Sequence, residues 1–91
     1  MLFIYIHTHP LEKCLIGKAE EARQMFTQVL QSAQQAGVKI VGVYMAPQEH
    51  TTFAILEGND FAAMSRAVHP MTAWGTARLI PLVPVEQATG L

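Results

Sequence analysis

The chain holds a single cysteine, Cys14, so no internal disulfide can form and the fold must stand without oxidation. Charge is nearly as scarce. Six Lys and Arg against seven Asp and Glu leave a net charge of -1 with no basic run, which gives no electrostatic footprint for nucleic acid or an anionic membrane. No apolar run approaches the ~20 residues that span a bilayer. The apolar start Met1 to Ile6 has neither the basic flank nor the cleavage site of a signal peptide, so a soluble cytoplasmic protein is expected. Phosphate-binding glycine loops, serine nucleophile motifs, paired catalytic carboxylates, low-complexity segments and internal repeats are missing too.

What is present is apolar. Of 91 residues 51% are hydrophobic and 14% charged. That suits one domain over 1–91, and it is more apolar surface than one small core hides, which argues for a second copy.

Leu2 to Thr8 is continuously apolar, rich in aromatic and β-branched residues and closed by Pro10, as a strand covered on both faces would be. Leu2, Ile4 and Ile6 point one way, Phe3 and Tyr5 the other. From about Leu15 to Ala36 the period changes: Ala19, Ala22, Met25, Phe26, Val29, Leu30 and Ala33 recur at helical steps and Gly37 supplies the C-terminal cap. Val38 to Met45 and Thr51 to Leu56 read as strands joined by a short connection, hence an antiparallel hairpin with His50 at its turn. Asn59 caps a second helix from Asp60 to about Val68, with Phe61, Met64 and Val68 inward. A last strand, Thr76 to Val83, contains Pro81 and belongs at an edge. Residues 84–91, small and polar, are expected either to form a loose tail or to pack on a partner.

The order βαββαβ is that of an α+β, ferredoxin-like sandwich: a four-stranded antiparallel sheet with two helices on one face. With its element order, the run Gly37-Val38-Lys39-Ile40-Val41-Gly42-Val43-Tyr44 followed by Phe53-Ala54-Ile55-Leu56-Glu57 resembles the small dimeric α/β-barrel proteins, particularly the GYD-domain-like and stress-responsive barrel families. Where GYD-like members carry Gly-Tyr-Asp, this chain has Gln48-Glu49-His50. The resemblance implies the fold and a homodimer formed through the sheet face. The wider group includes monooxygenases, isomerases and haem-binding enzymes.

This topology gathers His7, His9, Cys14, His50, His69 and Trp74 at one edge of the sheet. His7 and His9, two apart on a strand, face the same way with Cα atoms ~6.6 Å apart, so their imidazoles can converge on zinc, copper, nickel or iron, with His50 as third ligand and Cys14 or His69 as fourth. The plainer alternative is that these histidines are polar rim residues. Cys14 is either a nucleophile served by a nearby histidine or a small apolar filler, and His69 sits where a helix end needs capping. Tyr5, Tyr44 and Trp74 are candidates to line a small-molecule cavity between sheets, or simply to pack. Glu57 and Arg78 are expected to form an ion pair across the sheet. A small-ligand protein with a transition-metal site at the sheet edge is therefore expected first. A metal-free monooxygenase- or isomerase-like enzyme with a histidine base is the alternative, and a non-catalytic dimeric interaction module the third reading.

Overall fold

Strict alternation in the first strand sets the two layers. In the computed structural model, which describes residues 1–90, β1 (Leu2–Thr8) buries Phe3, Tyr5 and His7 on one face and leaves Leu2, Ile4 and Ile6 half-buried on the other. The chain continues through α1 (Ala19–Ala36), β2 (Lys39–Ala46), β3 (Thr51–Glu57), α2 (Phe61–Val68), β4 (Thr76–Leu82) and a short α3 (Val85–Thr89). The strands form one sheet in the order β2-β3-β1-β4 with every neighbouring pair antiparallel. This is the ferredoxin-like α+β arrangement that the element order predicts, and Pro81 lies on the edge strand β4, where its missing N–H costs no ladder bond.

The helices cover the Phe3 face. Phe3, Leu56 and Met64 are its largest fully buried apolar side chains, packed with Ala33, Val38, Ala63, Ala67 and Val68. Small residues on α1 and α2, which lie side by side, let both helices approach the sheet here. Gly37, in the left-handed region at φ 72°, closes α1 as expected, its N–H donating to Ala33 and Gln34 carbonyls.

Several boundaries differ from the sequence reading for local reasons. α1 begins at Ala19 rather than about Leu15, because Gly17 adopts φ 82°, a conformation no right-handed helix accommodates. Residues 11–13 instead form a single 3₁₀ turn that ends at Cys14. Asp60, not Asn59, caps α2, its carboxylate accepting the Ala63 N–H at 2.7 Å, and Phe61 is exposed while touching Phe3 edge-on. Glu57 and Arg78 do not pair: Glu57 lies in register with Leu2, and Arg78 with Ile6 four residues along β1. Among the described residues the ion pair is Arg23 with Glu20 at 2.6 Å, exposed on α1. The expected loose tail is helical over Val85–Thr89 with nothing buried, and its last residue, Leu91, lies outside the described residues. No helix among the described residues is long and apolar enough to cross a membrane.

Candidate metal centre and adjoining cavity

Period-two alternation carries the Phe3 and Tyr5 face onward to His7 and His9, so both histidines run beneath the helices rather than along a solvated rim. Both are buried. At His9 the strand has ended, and its backbone N–H donates to the His50 carbonyl at 3.1 Å, tying the end of β1 to the β2–β3 turn. That turn is a 3₁₀ segment, Pro47–Glu49, followed by His50 at φ 50°. A β-carbon residue rarely holds the left-handed conformation without a reason. Thr51 fixes the turn, its hydroxyl donating to the Glu49 carbonyl at 2.9 Å and lying 3.1 Å from the Thr8 hydroxyl.

The 3₁₀ turn after Pro10 folds back and delivers Cys14 to the same place. The imidazole nitrogens of His9 and His50 and the Cys14 sulfur lie within 4.8 Å of one another. Nε2 of His9 and Nδ1 of His50 are buried without a hydrogen-bond partner, a costly state for a polar atom unless something binds there. Metal bonds of ~2.0–2.3 Å at tetrahedral angles put donors ~3.3–3.8 Å apart, so a contraction of about 1 Å, within reach of side-chain rotation, would close the three on one ion. This His/Cys/His cluster can hold a metal ion.

The other two expected ligands do not join it. His7 gives Nε2 to the Met71 carbonyl at 3.1 Å, and its ring centroid is 6.3 Å from that of His9. His69 is exposed at the C-cap of α2, with its backbone N–H bonded to Arg66, the capping position rather than the ligating one. Burial lowers the pKa of His7, against a partial upward pull from the Met71 carbonyl and with a further lowering by His9. His9 is lowered by burial and then by His50.

Beside the cluster lies a cavity of about 520 Å³ between the sheet and the helix layer, with Tyr5, His7, His9, Phe26, Val43 and Trp74 among its walls. It lies within one chain, on the helix-covered face of the sheet. Tyr5 and Trp74 line it together, and burial pushes the Tyr5 phenol up to about 12. Tyr44 does not line it. A bulge between Ile40 and Gly42 inserts Val41, so Tyr44 pairs with Phe53 on the opposite face, 68% exposed. One added residue reverses the parity of every side chain beyond it, and Val43 and Met45 take the cavity wall instead.

Sequence reasoning missed three residues that hold this end together. Lys13 donates Nζ to the Ala73 carbonyl at 2.9 Å, pinning the cysteine-bearing turn to the segment before β4. Met71 supplies the carbonyl that orients His7. Gly75 approaches so closely that a Cβ there would overlap the Thr8 carbonyl oxygen and crowd the His9 Cα. For Gly75 alone there was a signal, a glycine directly before a strand, which marks a close backbone approach.

No curated protein matches the sequence. In fold it is similar to a solved structure, the crystal structure of SCO4226 from Streptomyces coelicolor A3(2), with a TM-score of 0.61 over 92% of this chain and 100% of that one at 15% identity. The sequence itself matches, over residues 1–91, the family described as Domain of unknown function (DUF3303), and the chain belongs to that family.

Proposed function

We propose that this protein binds a transition-metal ion through His9, Cys14 and His50, and that two copies associate through the uncovered face of the sheet. The observation that carries the metal reading is the convergence, within 4.8 Å, of one imidazole nitrogen each from His9 and His50 with the only thiol in the chain, on two rings that each hold a buried nitrogen without a partner. A thiolate with two imidazoles is a borderline-to-soft donor set that favours zinc or copper, then nickel or iron, over magnesium or calcium. Three protein ligands leave a fourth position open to water or a ligand. A reducing cytoplasm would keep the thiol available.

Support for self-association comes from the face opposite the helices. Ile4, Ile6, Phe53, Ile55, Ile80 and Leu82 share it by strand register and are only half-buried. A second sheet packed ~10 Å away would cover them.

The test is a zinc and a cobalt(II) titration of untagged, chelator-treated protein, read by elemental analysis and by the thiolate-to-cobalt charge-transfer absorption. One ion per chain is expected, lost in Cys14→Ser and His9→Ala and retained in His69→Ala. No uptake, or uptake unchanged in Cys14→Ser, defeats the metal reading. Sedimentation of wild type against Ile55→Asp tests the dimer separately, a single monomeric species in the wild type being the outcome that defeats it.

A further inference from the structure

The cavity between α1 and the sheet is separate from the metal centre, with His9 the one residue common to both. Its volume of about 520 Å³ lies within the ~300–1,000 Å³ typical of ligand pockets, which set a few polar groups in an apolar surround. The walls are apolar and partly aromatic, with Tyr5, Phe26 and Trp74 among them. The space is open to solvent: Phe26 of α1 and Val43 and Met45 of β2 stay between 40% and 48% exposed. Apolar walls that face water gain from an apolar body that covers them.

The charge at its mouth selects the body. Among the described residues the charged side chains on the walls are those of Lys13 and Arg23, both cationic, and no Asp or Glu joins them. Each is an exposed residue, so the aliphatic stems border the apolar space while the charged heads reach solvent at its edge. The Lys13 head is held in place. Its ammonium donates to the Ala73 carbonyl at 2.9 Å, next to Trp74, and no carboxylate among the described residues pairs with it, which leaves N–H donors to spare. Arg23 is already engaged by Glu20 at 2.6 Å, so Lys13 is the stronger attractor. We infer that this cavity binds a small amphipathic anion, an apolar chain or ring bearing one carboxylate, with its body between α1 and the sheet and its carboxylate at Lys13 and Arg23. An apolar amine would set its charge against two cations instead. The inference does not require a bound metal.

Trp74 is the only tryptophan in the chain and lines the cavity, so its fluorescence reports occupancy. The probes are decanoate and decylammonium, the same chain with opposite heads, titrated into chelator-treated protein so that the outcome does not depend on whether the three-ligand cluster takes up zinc. Wild type should bind decanoate about tenfold or more tighter than decylammonium. Lys13→Met, which keeps a long stem and removes the charge, should bring the two affinities to within about threefold, and Lys13→Arg should retain the preference. Val43→Phe, which narrows the cavity from its half-exposed wall, should weaken both probes about tenfold while keeping the wild-type circular dichroism spectrum. Should Lys13→Met fail to fold, added salt decides in wild type: raising it from about 0.05 to about 0.5 M should weaken decanoate relative to decylammonium. Equal affinity for the two probes in wild type, or salt that moves both alike, overturns the selection by charge. No binding of either probe, or binding unchanged in Val43→Phe, overturns the site, and a Trp74 signal that shifts with protein concentration alone makes the occupant a second copy of the chain instead.

Discussion

The two ends of β1 lie under the same helix layer and are built differently. At the Phe3 end, Ala33 of α1 and Ala63 and Ala67 of α2 bring the helices close, and Leu56, Met64 and Val38 are buried among them. At the His7 end the larger Met25, Phe26 and Val29 of α1 line an open cavity instead of closing it. Among the described residues the buried side-chain nitrogens without a partner all lie at this end, on His7, His9 and His50. One end supplies stability and the other holds groups that stability alone does not explain, the usual division between scaffold and site.

The largest expected effect tests that division directly. Met64 is 0% exposed, so Met64→Ala should cost ~2–5 kcal/mol, while Val43→Ala on the cavity wall should cost less than about 1. Urea denaturation of both variants checks this, and equal losses would mean the cavity end is as well packed as the other. Next is Gly75→Ala, which forces a methyl against the Thr8 carbonyl and His9. Overpacking of this kind costs ~1–3 kcal/mol, and because it displaces a proposed ligand it should also weaken zinc binding by about tenfold or more. A loss of stability with zinc affinity intact would separate Gly75 from the site.

A smaller effect should appear with pH in metal-free protein. The pKa values of His7 and His9 are lowered in the folded state, chiefly by burial, so the unfolded chain binds more protons than the folded one once pH drops below about 6.5. Stability from these two rings is therefore complete above that pH and declines as pH falls through the lower, folded values. Urea midpoints measured at about pH 7.5 and about pH 5.5 should show the drop, and His7→Phe should reduce it. An unchanged drop in that variant would assign the effect to His9 or to other groups.

The sequence carried the scaffold well and the site only in part. Strand and helix periods, Gly37 and Pro81 were sufficient for element order and edge position, because each acts through its own local geometry. His7 and His9 share a face for the same reason. Which three groups meet was not legible, since it depends on Gly17 delaying α1 so that a 3₁₀ turn can swing Cys14 back, and on Met71 claiming His7. One bulge residue, invisible to periodicity, puts Tyr44 on the uncovered face of the sheet and Tyr5 on the covered one. The cavity is set by how far α1 stands from the sheet, a distance that no periodicity encodes.

The smallest expected effect on stability has the opposite sign. His50 holds φ 50°, in the left-handed region that costs most residues about 1–2 kcal/mol and that Asn tolerates better. A histidine at that turn position is a poor conformational choice, and its partnerless Nδ1 adds to the cost. If the ring is there to bind metal, His50→Asn should leave the apoprotein as stable as wild type or up to about 1 kcal/mol more so, while zinc uptake is lost. Thermal melts with and without zinc read both quantities in one experiment: wild type should gain stability from the ion and the variant should not. A variant less stable than wild type without metal would show instead that the His50 ring, packed edge-on against His9 at 5.4 Å, belongs to the scaffold, and the contrast between the two ends of β1 would have to be redrawn at His9.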